Sequence, residues 1–208
     1  LDARLRELMG MIELDPDRFL DRLPGELSGG QKQRIGIARA LASRPDFLVC
    51  DEAVSALDVS VQAAVLNLLE DLRDTLGVAY LFISHDIGVV SHIADRIAVM
   101  YRGAIVEEGP AAAVLAPPYH PYTGALLSAV PVVGARGRAA ARTRLKGDVS
   151  SAPTEGGCRF AHRCPAERGT VCRTQAPPVQ QAGPGHAIAC HIPVAELARA
   201  PAALAVAE

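Results

Sequence analysis

Leu27-Ser28-Gly29-Gly30-Gln31-Lys32-Gln33-Arg34-Ile35-Gly36-Ile37-Ala38-Arg39-Ala40-Leu41 is a short polar loop with two adjacent glycines that opens directly into a helix. The first N–H groups of such a helix lack acceptors within it and lie at the positive end of the helix dipole, so the loop has the makings of an anion site. Glycine at 29 and 30 removes the Cβ atoms that would hold a phosphate away, Ser28 can cap the helix, and Gln31 adds a neutral donor. Ile35, Ala38, Leu41 and Ala42 recur at helical spacing, and Arg44-Pro45 stops the helix.

Working outward, Phe47-Leu48-Val49-Cys50 is a continuous apolar run that predicts a strand buried on both faces, and it ends abruptly in Asp51-Glu52. Acids at the carboxyl end of a parallel strand lie where open α/β sheets put their ligands. Val61, Ala64, Val65, Leu68, Leu69 and Leu72 then form one helical stripe that Gly77 stops. Val78 to Ile83 is a second apolar strand, followed by Ser84-His85-Asp86, a helix over Ile87 to Ile93, and a strand pair Ile97 to Met100 and Ala104 to Glu107 turning at Arg102-Gly103. On the amino-terminal side, Leu1, Leu5, Leu8 and Met9 share a helical face, and Asp15-Pro16 reads as an acidic cap with proline at the first helical position.

In combination and order these segments resemble the second half of an ABC (ATP-binding cassette) ATPase domain. Leu27 to Leu41 resembles its signature motif, the apolar run ending in Asp51-Glu52 its Walker B motif, Ser55-Ala56-Leu57-Asp58 its D-loop, and His85 its switch histidine. The resemblance implies that Asp51 holds Mg²⁺ through water, that Glu52 polarises the attacking water as general base, and that His85 senses the γ-phosphate. It also implies that Ser28, Gly29, Gly30 and Gln31 face ATP held by an opposing subunit. Asp58 is equally well placed as an ordinary helix cap, and the sequence leaves both roles open. Ala53 stands where the family has proline, which predicts a looser turn and no lost chemistry.

The phosphate-binding P-loop of such an ATPase, G-x-x-x-x-G-K-S/T, does not occur in the 208 residues, whose only lysines are Lys32 and Lys146. The reading is therefore the carboxyl-terminal portion of a longer ATPase, with negligible hydrolysis by this polypeptide alone. A net charge of −2 and 4% aromatic residues give no footprint for nucleic acid. No apolar run approaches the ~18 residues that span a bilayer, and Leu1 to Met11 lacks the pattern of a signal peptide. The expected address is the cytoplasmic face of a membrane, reached peripherally through a partner.

From Pro117 the composition turns to proline, glycine, alanine and arginine, with a short helix expected at Tyr122 to Val130 and a flexible connector from Gly134 to about Pro153. Tyr119-His120-Pro121-Tyr122-Thr123-Gly124-Ala125-Leu126-Leu127, with Ala129-Val130-Pro131 and Leu145-Lys146-Gly147-Asp148, carries no evident chemistry but closely resembles the extension on ATPase subunits of oligopeptide, dipeptide and nickel importers. Cys158, Cys164, Cys172 and Cys190 follow as C-x5-C-x7-C-x17-C, a spacing that matches neither zinc pairs nor ferredoxin runs and leaves a metal site and free thiols both open. Resemblance to the importer branch implies a 4Fe-4S cluster on the four cysteines, with Zn²⁺ as the alternative and His162, His186 and His191 as lower-ranked ligands. Cys50 reads as a core residue.

The fold class is thus α/β: part of a P-loop NTPase of the ABC type, a parallel sheet with helices, plus a small irregular cysteine-containing extension. The segments are 1–112 (partial ATPase domain), 113–157 (importer-type extension and linker), 158–191 (four-cysteine region) and 192–208 (alanine-rich tail, a loose helix). The resemblance, which covers about residues 20–191, implies an ATP-hydrolysing subunit of an oligopeptide or dipeptide importer. ATP and Mg²⁺ are its cofactors. Its implied partners are a second ABC ATPase subunit, identical or related, in a head-to-tail dimer, transmembrane permease subunits and, indirectly, an extracytoplasmic solute-binding protein. Two other readings share the motifs: a non-catalytic remnant or metal-binding regulatory piece that lends its signature loop in trans, and a soluble ABC protein of DNA repair or translation, which should lack the importer tail.

Overall fold

The structure, a computed structural model, describes residues 1–130, 145 and 156–199. The chain divides into two compact units, Leu1–Ile93 and Ala94–Glu208.

The first unit opens with α1 (Asp2–Met11) and α2 (Pro16–Phe19), the latter capped by Asp15, whose carboxylate accepts from the Asp17 N–H at 3.0 Å. A single 3-10 turn, Pro24–Glu26, leads into α3 (Gly29–Leu41). Then follow β1 (Phe47–Asp51), α4 (Val59–Leu76), β2 (Ala79–Ile83) and α5 (Ile87–Ile93). Helix α4 buries Val65, Leu66, Leu68, Leu69 and Leu72, the expected stripe, and ends at Gly77 in the left-handed conformation that glycine adopts without strain. Helix α1 buries Leu8 and Met9, whereas Leu1 and Leu5 of the expected face stay exposed. Arg34 fastens α3 to the end of α1 by bonding the Ile12 carbonyl at 2.9 Å and the Glu13 carboxylate at 2.6 Å.

Strands β1 and β2 pair in parallel, Phe47 opposite Ala79 through Asp51 opposite Ile83. The structure corrects the expectation that both faces are buried. Leu48, Tyr80 and Phe82 pack on the helical core, whereas Phe47, Val49, Leu81 and Ile83 on the other face are 44 to 59% exposed. Parallel sheets are ordinarily covered on both sides, and two strands alone are marginal. Among the described residues, this unit covers one face of the pair.

In the second unit, β3 (Arg96–Tyr101) and β4 (Ala104–Pro110) form the expected antiparallel pair, turning through Arg102 and Gly103, both at positive φ. Next come α6 (Ala111–Val114) and α7 (Pro121–Ala129), then a 3-10 turn Ala161–Arg163, α8 (Thr170–Thr174), β5 (Val179–Gly183), β6 (His186–Ala189) and α9 (Val194–Leu197). The sheet order β3-β4-β6-β5 differs from the expected division, because the strands meant to close segment 1–112 continue through the β4–β6 pairing into the four-cysteine region. That region is accordingly less irregular than its composition suggests. Its hairpin turns at Pro184-Gly185, and Ile188, Cys190, Ile192 and Leu197 make a small core of their own. In the tail the described helix is confined to Val194–Leu197. The connector from Gly134 to Pro153, the Lys146-Gly147-Asp148 string and the end of the tail lie outside the described residues. No helix among the described residues is long and apolar enough to cross a membrane.

Candidate active site

Ser28 and Gln31 form a reciprocal cap: the Ser28 hydroxyl accepts from the Gln31 N–H at 3.3 Å, and Gln31 Oε1 accepts from the Ser28 N–H at 2.9 Å. Gln31 therefore uses its carbonyl locally, where the sequence suggested only a donor. The amides of Gly29 and Gly30 are the remaining helix-start N–H groups with no acceptor inside the helix. Gly30 has a second reason to be glycine: a Cβ there would run into Cγ1 of Val61, a β-branched side chain at the start of α4 with little room to turn away. The loop is thus glycine-rich for helix packing as well as for exposure of its amides.

Asp51 closes β1 on the uncovered face of the sheet, and Glu52 follows it at φ +47, a left-handed conformation unusual for glutamate. Two contacts hold this turn, the Glu52 N–H donating to the Ile83 carbonyl at 3.0 Å and the Ser55 hydroxyl donating to the Glu52 carbonyl at 3.0 Å. Val54 is buried beneath it, so the turn is well tied down with Ala53 in the family's proline position. The left-handed residue carries the Glu52 carboxylate to His85 beyond the end of β2, with Nδ1 3.2 Å from Oε1. Both side chains are largely exposed. Two expected catalytic residues from different strands are thus brought into one hydrogen bond beside Asp51, at the carboxyl edge of a parallel pair. Ser84 and Asp86 shape the approach to α5: the Ser84 hydroxyl accepts from the Asp86 N–H, and the Asp86 carboxylate from the Gly88 N–H.

Asp58 is a helix cap, accepting from the Val61 N–H at 3.0 Å and from the Ser60 hydroxyl at 2.7 Å. Those two bonds, the backbone one first, hold its carboxyl below the usual carboxylate range. Among the described residues no hydrogen bond or ion pair joins the Ser28–Gln31 loop to Glu52 or His85.

In the second unit Cys158, Cys172 and Cys190 are buried and Cys164 half-buried, all as free thiols. Burial pushes the thiols of Cys158, Cys164 and Cys190 up, that of Cys164 to about 12, and each is raised a little further by the charge of neighbouring cysteines in the set. Two of the sulfurs accept backbone N–H bonds, Cys172 from Arg168 at 3.3 Å and Cys190 from Ile192 at 3.5 Å. Even so, among the described residues no group of three or more His, Cys, Asp or Glu side chains stands in a metal-binding arrangement. Of the lower-ranked histidines, His186 is committed to Glu107, and His191 bonds the Gln175 carbonyl.

The sequence reading passed over Glu107, 1% exposed on β4. Its carboxylate accepts from the His120 N–H at 2.8 Å, from the Thr123 hydroxyl at 2.5 Å and from His186 Nε2 at 2.8 Å. The available signal was a glutamate at an inward strand position, with two histidines elsewhere in the segment that had no assigned partner.

A capped glycine loop, a parallel strand ending in Asp-Glu and a histidine just beyond the second strand that meets that glutamate are the features by which the sequence resembles the α/β ABC class. Comparison with known proteins agrees. Residues 2–55 match the ABC transporter family and residues 106–172 match the "Oligopeptide/dipeptide transporter, C-terminal region". A peptide import ATP-binding protein of Brucella abortus is 50% identical over 191 residues, covering 91% of this chain and 55% of that protein. The oligopeptide transport ATP-binding protein AppF of Bacillus subtilis is 48% identical over 193 residues, covering 92% and 58%. Among solved structures, an inward-facing metal-chelate type ABC transporter is similar at a TM-score of 0.50 and 30% identity, over 54% of this chain and 44% of that one. The chain belongs to the ABC transporter ATP-binding proteins, in the branch of the oligopeptide and dipeptide transporters. It spans about half the length of the relatives it matches.

Proposed function

We propose that this chain is the Walker B and signature half of an ATP-hydrolysing subunit of an oligopeptide or dipeptide importer. It works peripherally at the cytoplasmic face of a membrane, in a head-to-tail pair with a second ABC ATPase subunit beneath permease subunits served by a solute-binding protein. The observation that carries this reading is the Glu52–His85 hydrogen bond at the carboxyl edge of β1 and β2, next to Asp51.

In that site Glu52 takes the proton of the attacking water, and His85 holds the glutamate in position through Nδ1. Asp51, an exposed oxygen ligand on the same edge, suits a hydrated Mg²⁺, which supplies charge neutralisation for the phosphates. Ser28, Gly29, Gly30 and Gln31 present the helix-start amides of α3 to ATP held by the opposite subunit. Asp58 fixes the start of α4 beside the loop. The uncovered apolar face of β1 and β2 accords with a domain completed by a P-loop-bearing layer, so the 208 residues by themselves turn over ATP negligibly.

The test joins this chain to the P-loop-bearing segment of its Bacillus subtilis relative. Hydrolysis should appear in the joined protein and fall by roughly 10² to 10⁴ on Glu52→Gln. Turnover by the 208-residue chain alone that vanishes on the same substitution would overturn the dependence on a P-loop layer. No hydrolysis in a folded joined protein would remove Glu52 and His85 from catalysis.

For the second unit we propose that Cys158, Cys164, Cys172 and Cys190 are ligands of one metal centre. The donor set suits either a 4Fe-4S cluster or Zn²⁺, and the backbone N–H bonds to Cys172 and Cys190 are the support thiolates receive in such sites. Because burial favours the protonated thiols, loading must release protons. Iron and sulfide analysis after anaerobic purification separates the two: stoichiometric zinc without sulfide rejects the cluster, and neither metal rejects the centre.

A further inference from the structure

The His120-Pro121-Tyr122-Thr123 turn and Glu107 form a buried network that no part of ATP hydrolysis uses. Glu107, His120, Thr123 and His186 are all 2% exposed or less. A carboxylate so thoroughly removed from water is costly unless its oxygens are satisfied, and here they are: Oε2 takes the His120 N–H and the Thr123 hydroxyl, and Oε1 takes His186 Nε2. The three donors come from two places far apart in sequence. His120 and Thr123 start α7, and His186 starts β6, 79 residues beyond Glu107.

Each arm of the network ends at a cysteine. Along β6 from His186 the chain reaches Cys190, whose carbonyl accepts from Gln180 Nε2 at 2.7 Å and whose N–H donates to the Pro178 carbonyl at 3.1 Å. On the other arm the turn itself is rigid. His120 Nδ1 accepts from the Tyr122 N–H at 3.1 Å, Pro121 takes the first helical position, and a Cβ on Gly124 would stand 2.7 Å from the Tyr119 ring. That turn packs its His120 and Tyr122 rings against Phe160, with centroids 5.7 and 5.3 Å away, and Tyr101 closes the cluster at 5.1 Å from Phe160. Phe160 lies two residues after Cys158, and the Cys158 N–H is bonded to the Cys172 carbonyl at 2.8 Å. One carboxylate therefore sets the position of Cys190 through His186 and that of Cys158 through the His-Pro-Tyr turn and Phe160.

We propose that Glu107 is the positioning residue of Cys190 and Cys158: it registers the Cys190 strand and the Cys158 loop against each other. The inference concerns the thiols' positions and stands whether they hold a metal or nothing. Its failure is therefore separate from failure of the metal proposal.

The test is residue-resolved thiol labelling of the metal-free 208-residue chain under native conditions, read by mass spectrometry, with Cys50 in the other unit as the internal reference. Glu107→Leu keeps most of the volume and removes both acceptor oxygens. It should speed labelling of Cys190 and Cys158 by at least about tenfold relative to Cys50. His186→Leu leaves the carboxylate its two bonds to α7 and cuts only the β6 arm, so it should release Cys190 and leave Cys158 at the wild-type rate. The second variant also decides the matter if the first fails to fold. Acceleration of all four cysteines together in His186→Leu, which would mean general loosening of the unit, overturns the proposal. So does an unchanged Cys190 rate in that variant.

Discussion

The two units treat their acidic residues in opposite ways. In Leu1–Ile93 the carboxylates of Asp51 and Glu52 stand in the open at the edge of a sheet that is itself bare on one face. In Ala94–Glu208 the notable carboxylate, Glu107, is sealed and satisfied entirely by its own chain. An exposed acid costs little and remains available to substrate, whereas a buried one must be matched and then serves to hold elements in register. The first unit leaves its acids and one sheet face open, and the second closes around its carboxylate.

The closed unit should fail in acid, and this is the largest effect expected. Burial lowers the pKa of His120 to about 4 from an ordinary 6.5. A histidine depressed in the folded state binds its proton more readily when unfolded, so its contribution to stability is complete above pH 6.5 and is lost as the pH falls towards 4. The span corresponds to on the order of 3 kcal/mol. Glu107 works against this trend: burial raises its pKa, so its contribution is present in acid and is lost as the pH rises through the raised value. His120→Asn separates the two. Asparagine can still accept the Tyr122 N–H as a helix cap, so the variant should be less stable at neutral pH through lost ring packing on Phe160, yet should lose much less stability than wild type between pH 6.5 and 4.5, where only the opposing contribution of Glu107 remains. Denaturant titrations followed by tyrosine fluorescence report mainly on this unit, since Tyr101, Tyr119 and Tyr122 lie in it and the chain has no tryptophan. An equal slope in the variant would show that His120 is not the acid-sensitive group.

The open unit was the more legible one in sequence. Its strands, the α4 stripe, the Gly77 stop and the α3 cap follow from local patterns, namely apolar runs, helical spacing and punctuation by glycine and proline, whereas Asp51, Glu52 and His85 stood out through the resemblance to ABC ATPases. Two features escaped. That Gly30 makes way for Val61 depends on how α3 meets α4, and local pattern does not encode a crossing. The left-handed turn at Glu52, which delivers its carboxylate to His85, is likewise a tertiary outcome that no propensity for glutamate would suggest. In the closed unit the short strands Val179–Gly183 and His186–Ala189 carry glutamine, alanine and glycine with little apolar alternation, so they read as irregular. The pairing of His186–Ala189 with Glu107 and Glu108 of β4 depends on contacts some 80 residues apart. The Glu107 network has the same origin, since each of its members looks ordinary alone.

Gly30→Ala sharpens the contrast from within the open unit, at a somewhat smaller effect. The added methyl meets Val61 rather than solvent, so despite the better helix propensity of alanine the chain should lose about 1 to 3 kcal/mol through overpacking between α3 and α4. Val61→Ala placed in the same chain should restore most of that loss, and thermal unfolding of the four combinations measures the coupling. Additive losses would place the strain elsewhere than between these two residues.

The smallest effect is the most pointed, because it tests whether the bare face is bare. Val49 and Leu81 are paired in register across β1 and β2, with 59% and 49% exposure on the uncovered side. A residue packed in a core would cost several kcal/mol on replacement by lysine, since a charge would be left without water or partner. On an open face, Val49→Lys and Leu81→Lys should each change the stability of the 208-residue chain by no more than about 0.5 kcal/mol. In the protein joined to the P-loop-bearing segment the same substitutions should prevent assembly of a stable ATP-hydrolysing domain, because the face is then covered. Neutrality in the chain together with failure in the joined protein is the signature of a surface that becomes core only on completion. A loss above 2 kcal/mol in the chain alone would show that the first unit already closes over these strands, and the contrast between the two units would fall with it.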